Sequence, residues 1–369
     1  MSHRIPIARP DLGKEELEKV DEAVRSGWVS SKGPFVDEFE KGLSKYIGVR
    51  HALAVSNGTV ALHLALAGLG IGSGDEVLVP SLTFVAVANA VAYTGAKPVF
   101  IDSHPDYWCI DPAGIKENIT RRTKAVLLVH LYGHPCDIRP ILEIAHDNDL
   151  YVIEDCAEAH GAEYKGKKVG SFGDVSCFSF YGNKIITTGE GGMCLTNNRD
   201  VAEKMRILKD HGMNPKKRYW HDVVGFNYRM TNLQAALGVA QLKKISRLVE
   251  RKREIAKRYR ELLGEDNGVT HAPEMPWARN VYWLYSILLD AGLREKIINA
   301  LDLQGVETRP FFYPVHTMPP HKRSSRLPTA ERLSARGINL PSGPKIGDEE
   351  VYTAASSVRK ALKSLRSKA

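Results

Sequence analysis

Between His51 and residue 210 the chain alternates apolar runs of four or five residues with longer stretches whose apolar positions recur at helical spacing. The short runs at 52–55, 76–79, 98–101, 125–129 and 151–153 predict strands. Helices are predicted through Leu69, from about Thr83 to Tyr93, and near 138–146. Strands alternating with helices build a parallel sheet, and such sheets bind ligands at the carboxyl ends of their strands. Two amphipathic helices, 14–27 and 34–46, precede the first strand. Beyond Glu154 the texture changes. Tyr164-Lys-Gly-Lys-Lys168 predicts a hairpin turn, 175–180 and 192–196 predict strands, and about 200–210 a helix. One long helix is predicted over 232–263, then a strand-like run at 282–289 and a basic helix at the C-terminal end. The expected fold class is α/β. A large domain over 1–245 carries a mixed, mostly parallel sheet, and a smaller α+β domain covers 246–369, with the boundary inside the long helix.

A length of 369 residues exceeds one typical domain and agrees with that division. The net charge of +8 matters through its distribution. Residues 1–244 carry 29 basic and 29 acidic side chains, whereas 245–369 carry 22 and 14, so the excess lies in the C-terminal third. Solvated helix faces account for most of it, and a phosphate-bearing substrate is the functional alternative. Basic runs interleaved with aromatics are missing, which argues against nucleic acid. No apolar run approaches the ~18 residues of a membrane span, and the first residues lack the apolar core of a signal peptide. Five scattered cysteines without a C-x-x-C pair predict neither disulfides nor a zinc site, so a reducing cytoplasm is expected.

Two phosphate-loop look-alikes fail on their context. Gly161-Ala-Glu-Tyr-Lys-Gly-Lys167 has Lys168 where a hydroxyl must reach magnesium, and Gly68-Leu-Gly-Ile-Gly-Ser-Gly74 follows a helix instead of a strand. Ser56-Asn-Gly-Thr59 is better placed. It follows a strand and opens a helix, so Gly58 and Thr59 present N–H groups and a hydroxyl to an anion, although a plain helix cap reads equally well. Asp155 ends another strand, where a buried carboxylate requires a positive partner, either a salt bridge or a protonated heterocycle. Lys184 sits in a small polar turn past the apolar run 175–180, where lost solvation lowers an amine pKa and makes a nucleophile or proton carrier. Taken together, these describe a pyridoxal phosphate site: Asp155 on the ring nitrogen, Lys184 on the carbonyl, Gly58 and Thr59 on the phosphate.

The segments Ser56-Asn-Gly-Thr-Val-Ala-Leu62, Glu154-Asp-Cys-Ala-Glu-Ala-His-Gly161, Ser179-Phe-Tyr-Gly-Asn-Lys184 with Gly189-Glu-Gly-Gly192, and Gly225-Phe-Asn-Tyr-Arg-Met230 resemble the sugar aminotransferases of the DegT/DnrJ/EryC1/StrS family. The likeness runs from about Pro6 to the C-terminal helix. It implies the fold type I of pyridoxal-phosphate aminotransferases, with Lys184 and Asp155 catalytic. It also implies Phe84 stacked on the cofactor ring and Ser179 on the phosphate. Glu158, where the family more often has glutamine, approaches the cofactor's phenolic oxygen. Asn227 is implied as a phosphate ligand from a neighbouring subunit, hence a homodimer with shared active sites. Trp28-Val-Ser-Ser-Lys-Gly33, His130-Leu-Tyr-Gly-His-Pro-Cys-Asp137, Tyr219-Trp-His-Asp222 and Tyr313-Pro-Val-His-Thr-Met-Pro319 are most similar to members that pass the amino group of L-glutamate to C4 of GDP-4-keto-6-deoxy-D-mannose. Tyr313 and His316 are candidates for the sugar-facing wall, with Arg229 near the subunit interface; a structural role for each is an equal alternative.

Three rival readings remain at this stage. Another nucleotide ketosugar, UDP- or dTDP-linked, fits the same motifs. Sugar dehydratases of similar sequence carry histidine where this chain has Lys184. A non-catalytic ligand sensor on the same fold has no need of Lys184 and Asp155, and this chain keeps both.

Overall fold

The computed structural model describes residues 4–264 and 268–366. Helices α1 (Lys14–Arg25) and α2 (Pro34–Ile47) lead into strand β1 (His51–Val55), and α2 stops at Gly48, whose φ of 86° is left-handed. There follow α3 (Gly58–Leu69), β2 (Glu76–Pro80), α4 (Ala86–Tyr93), β3 (Lys97–Ile101), α5 (Pro112–Glu117), β4 (Thr123–Val129), α6 (Ile138–Asp147) and β5 (Tyr151–Asp155). A hairpin of β6 (Glu163–Tyr164) and β7 (Lys167–Lys168) precedes β8 (Val175–Ser179), β9 (Gly192–Thr196) and α7 (Arg199–Leu208). Seven strands form one sheet in the order β1-β9-β8-β5-β4-β2-β3. The pairs β2–β3, β2–β4, β4–β5 and β5–β8 are parallel, and β9 runs antiparallel to both neighbours. This is the mixed, mostly parallel sheet expected.

Alternate residues of each strand enter opposite cores, which is why the strand runs are continuously apolar. Leu53, Val77, Val79, Leu127 and Ile153 pack with α3, α4 and α7. Ala54, Leu78, Val126, Leu128 and Val152 face the other way, toward the layer that holds α2, α5 and α6. Helix α3 starts where the Asn57 side chain accepts from Val60 N at 3.0 Å, and it ends at Gly70 with φ 82°.

The long helix predicted over 232–263 is two helices, α8 (Asn232–Lys243) and α9 (Ile245–Leu263), broken at Lys244. No proline or glycine marks the break. Its neighbourhood is a buried polar knot: Lys244 Nζ lies 2.6 Å from Glu16 Oε1 of α1, and Gln241 donates to Glu16 and to Asp11 O, each at 2.8 Å. Such ties join residues over 200 positions apart, and helical periodicity does not encode them.

After α9 come β10 (Val269–His271), β11 (Ala278–Arg279), β12 (Tyr285–Leu289), α10 (Arg294–Asp302), β13 (Arg309–Pro310), α11 (Pro328–Arg336), β14 (Gly337–Leu340) and α12 (Asp348–Arg366). Strands β10-β12-β14-β13 make a second, antiparallel sheet. Strand β11 pairs with β6, so the hairpin of the first part is tied to the second. Among the described residues no helix is long and apolar enough to cross a membrane.

Glu154 holds the loop behind β5. Its carboxylate is fully buried and accepts from Gly170, Phe172 and Gly173 N, each at 2.8 Å, and from His130 Nε2 at 3.2 Å. Cys136 N donates to His130 Nδ1, so the imidazole proton is on Nε2 and points at Glu154. Burial raises the Glu154 pKa, but the hydrogen bonds from His130 and the backbone donors more than reverse it, leaving it below the usual carboxylate value. A depressed pKa contributes stability that is present above the unfolded value and lost as pH falls through the folded one. Glu154→Gln, which turns an amide donor toward N–H groups, is expected to cost about 1–3 kcal/mol in thermal unfolding at neutral pH. Its loss should also flatten the acid limb of the stability profile.

Candidate active site

Four loops leave the carboxyl ends of strands at one edge of the first sheet and help enclose a cavity of about 710 Å³. Gly58 and Thr59 come after β1, Thr83 and Phe84 after β2, Asp155 and Glu158 from the end of β5, and Ser179 and Lys184 from the end of β8. The two segments that differ most from expectation supply this edge. Helix α4 begins at Ala86 and not at Thr83, because residues 81–84 turn along the cavity instead of coiling. Likewise β12 begins at Tyr285 and not at residue 282. Residues 281–284 bend away, Tyr282 with φ 47°, and carry Trp283 to the cavity wall.

Lys184 Nζ lies 3.8 Å from the Trp283 ring centroid and 3.9 Å from Glu158 Oε1. Desolvation lowers the ammonium pKa of Lys184, assisted by Arg309 and opposed by Glu158 and Asp155. Asp155 is buried, with Oδ1 accepting from Ala157 N at 2.9 Å, and burial raises its pKa. Glu158 Oε2 accepts from Tyr132 N at 2.7 Å, and burial pushes that carboxyl up to about 7. Behind them His160 is held neutral by burial, its pKa down to about 3.

An aromatic wall closes one side. Phe84 and Phe312 are 5.8 Å apart, and Tyr132 stacks on Phe312 at 5.4 Å and on Trp283 at 6.3 Å. The Trp283 indole N–H donates to Asn183 O at 2.9 Å, next to the lysine. Its own carbonyl accepts from the buried Lys252 Nζ at 2.6 Å. Sequence reasoning missed Trp283, Arg309 and Phe312, all of which line the cavity. Trp283 stands in an apolar run that reads as core, and no local pattern separates a wall aromatic from a packed one.

The structure therefore gathers Gly58, Thr59, Phe84, Asp155, Glu158, Ser179 and Lys184 around one cavity. It does not bring the four remaining candidates to that lining. His316 is buried, with Nδ1 2.6 Å from Ser81 Oγ and Nε2 3.3 Å from Glu331 Oε1. Tyr313 is half exposed, with the Arg294 guanidinium 5.6 Å from its ring. Arg229 is ion-paired with Asp210 and 3.2 Å from His211 Nε2. Asn227 bridges backbone with Asp210, away from this chain's own cavity.

These residues fit pyridoxal phosphate. The first N–H groups of helix α3 have no partner inside the helix and sit beside Ser179, a cradle for a phosphate. A Cβ on Gly58 would stand 2.7 Å from Ser179 Cβ, so only glycine lets helix and strand end close to this distance. Asp155, desolvated and with one backbone donor, suits a protonated ring nitrogen, and Lys184 faces it across the same cavity.

A profile of the DegT/DnrJ/EryC1/StrS aminotransferase family matches residues 10–359. The GDP-perosamine synthase of Escherichia coli O157:H7 is 49% identical over 356 residues, which are 96% of this chain and 97% of that one. The GDP-perosamine synthase of Caulobacter vibrioides is 49% identical over 354 residues, 94% of this chain and 95% of that one. Among solved structures, the aminotransferase TlmJ from Streptoalloteichus hindustanus superposes with a TM-score of 0.95 at 33% identity, covering 98% of this chain and all of that one. The PLP-form of a putative sugar aminotransferase, Spr1654 from Streptococcus pneumoniae, gives 0.93 at 27% identity, over 98% of this chain and 100% of that one.

Gly58→Ala is expected to force α3 and β8 apart, costing about 1–3 kcal/mol in thermal unfolding of the cofactor-free protein. The cofactor retained per chain after dialysis should fall in the same variant.

Proposed function

This chain belongs to the DegT/DnrJ/EryC1/StrS aminotransferase family and is a pyridoxal-phosphate-dependent sugar aminotransferase, and we propose that it passes the amino group of L-glutamate to C4 of GDP-4-keto-6-deoxy-D-mannose, giving GDP-perosamine. The observation that carries this reading is the near-half identity to two GDP-perosamine synthases over almost the full length of all three chains.

Bound pyridoxal phosphate supplies an electrophilic carbonyl and a ring that withdraws electrons from the carbon being deprotonated. The residues around it do the rest. Lys184 Nζ is the anchoring amine and, when free, the base that takes a proton from the donor's α-carbon and returns one to the sugar's C4. Its lowered pKa favours the unprotonated form that such a base requires. Asp155, buried at the strand end, would keep a proton on the ring nitrogen. Gly58 and Thr59 N–H groups with Ser179 Oγ would hold the phosphate, with Phe84 at the wall of the same cavity. The wall of Trp283, Tyr132 and Phe312 keeps water from the lysine. Arg309 is the cation at the cavity suited to a carboxylate of the donor. In the proposed homodimer, Asn227 of each chain completes the phosphate site of the other, and Arg229 lies near that interface. Tyr313, exposed, is left free to meet the sugar nucleotide, whereas His316 is not. The five cysteines are all unpaired, in keeping with a reducing cytoplasm.

The test follows the visible absorption of the purified protein with pyridoxal phosphate. L-Glutamate is expected to bleach the band and GDP-4-keto-6-deoxy-D-mannose to restore it. Restoration only by a UDP- or dTDP-linked ketosugar would replace the substrate and leave the enzyme class. Lys184→Arg should lower turnover about 10²–10⁴-fold. Mixing Lys184→Ala and Asn227→Ala chains tests the shared site, since one site of each mixed dimer is then intact. Activity should rise to about a quarter of wild type on mixing, and no rise would remove Asn227 from the partner's site.

A further inference from the structure

We infer that Glu158 acts through Lys184 as its acid–base partner, holding a proton on the lysine nitrogen to a higher pH than an uncharged side chain at position 158 would allow. The inference rests on Lys184 being the cofactor lysine, and it concerns what sets that nitrogen's charge.

The geometry divides the two carboxylate oxygens of Glu158. Oε2 is tied to the Tyr132 N–H at 2.7 Å, at a residue whose φ of 52° and stacked ring fix the backbone in place. Oε1 is thereby turned to Lys184 Nζ, 3.9 Å away. The side chains are 5% and 11% exposed, so water screens the pair little. Burial acts on the two groups in opposite senses, raising the carboxyl to about 7 and lowering the amine, which narrows the gap between them. At 3.9 Å the contact is an ion pair, so the Glu158 carboxylate favours the ammonium of Lys184 through its charge.

The other charged or titratable groups around the pair are few. Asp155 from β5 is a like charge that raises Glu158 and, with it, favours the ammonium of Lys184. Cys109 also raises Glu158, and Arg309 of β13 lowers Lys184. His130 acts on Asp155, and His160 is neutral across the working range. None of these lies on the lysine as Glu158 does, the one carboxylate within ion-pair distance of Nζ among the described residues. A glutamine has the same shape and keeps an oxygen for Tyr132 N–H, but it carries no charge to offer the lysine.

The experiment uses the holoenzyme. The visible band of the bound cofactor is titrated with pH in the wild type, Glu158→Gln and Glu158→Asp, each first checked for an unchanged melting temperature. Glu158→Gln is expected to lower the midpoint by about one pH unit, a tenfold weaker hold on the proton. Glu158→Asp keeps the charge and should stay near the wild type. A Glu158→Gln midpoint within about 0.3 unit of the wild type overturns the inference. A second measurement needs no cofactor: the rate at which an acylating reagent labels Lys184 in the apoprotein, read by peptide mass spectrometry against pH. Glu158→Gln should shift that profile in the same direction. If no visible band forms at all, the functional reading fails, and the labelling profile alone decides the inference: a shift supports it and an unmoved profile overturns it.

Discussion

One amine and two carboxylates taken out of water at a single sheet edge are the constraint around which this structure is built. Asp155, Glu158 and Lys184 are all buried or nearly so, and unpaired charges in such a place are costly. The protein answers with fixed backbone donors: Ala157 N on Asp155 and Tyr132 N on Glu158. Beyond these, Glu158 and Lys184 offset one another only as an ion pair at 3.9 Å. That incomplete pairing is what a site for a cationic heterocycle and a reactive amine requires.

The frame around the edge comes from two parts of the chain. The first sheet supplies the loops at its strand ends, and because both its faces are covered by helices those ends are the open place for a ligand. The second part supplies the wall. Trp283 reaches the lysine only because residues 281–284 leave the strand path, and Lys252 of α9 and Asn183 beside the lysine pin its carbonyl and its indole. A buried lysine whose pKa has been lowered to about 7 by desolvation thus supports another whose own is lowered. The pairing of β11 with β6 holds the same two parts together from the far side.

The comparisons place the chain among sugar aminotransferases, and the differences from expectation are of one kind. His316 is a candidate for the sugar-facing wall through the family resemblance of Tyr313–Pro319, with a structural role as the equal alternative. In the fold it is enclosed by Ser81 and Glu331, which lie 235 and 15 positions away. The break at Lys244 and the late start of α4 have the same origin: hydrogen bonds or cavity walls formed by distant residues.

Family resemblance pointed to the mixed sheet and to Phe84, Glu158 and Ser179; the sequence by itself determined the order and type of the main strands and the strand-end motifs that carry Gly58, Thr59, Asp155 and Lys184. Those features depend on local periodicity and on residues within a few positions of a strand end, and both are written in neighbouring letters. Only the tertiary structure decided which aromatic faces Lys184, which candidates turn away into packing, and that Glu158 stands against the lysine. Each of these depends on where chain segments a hundred or more residues apart come to rest, and on how much water their meeting excludes.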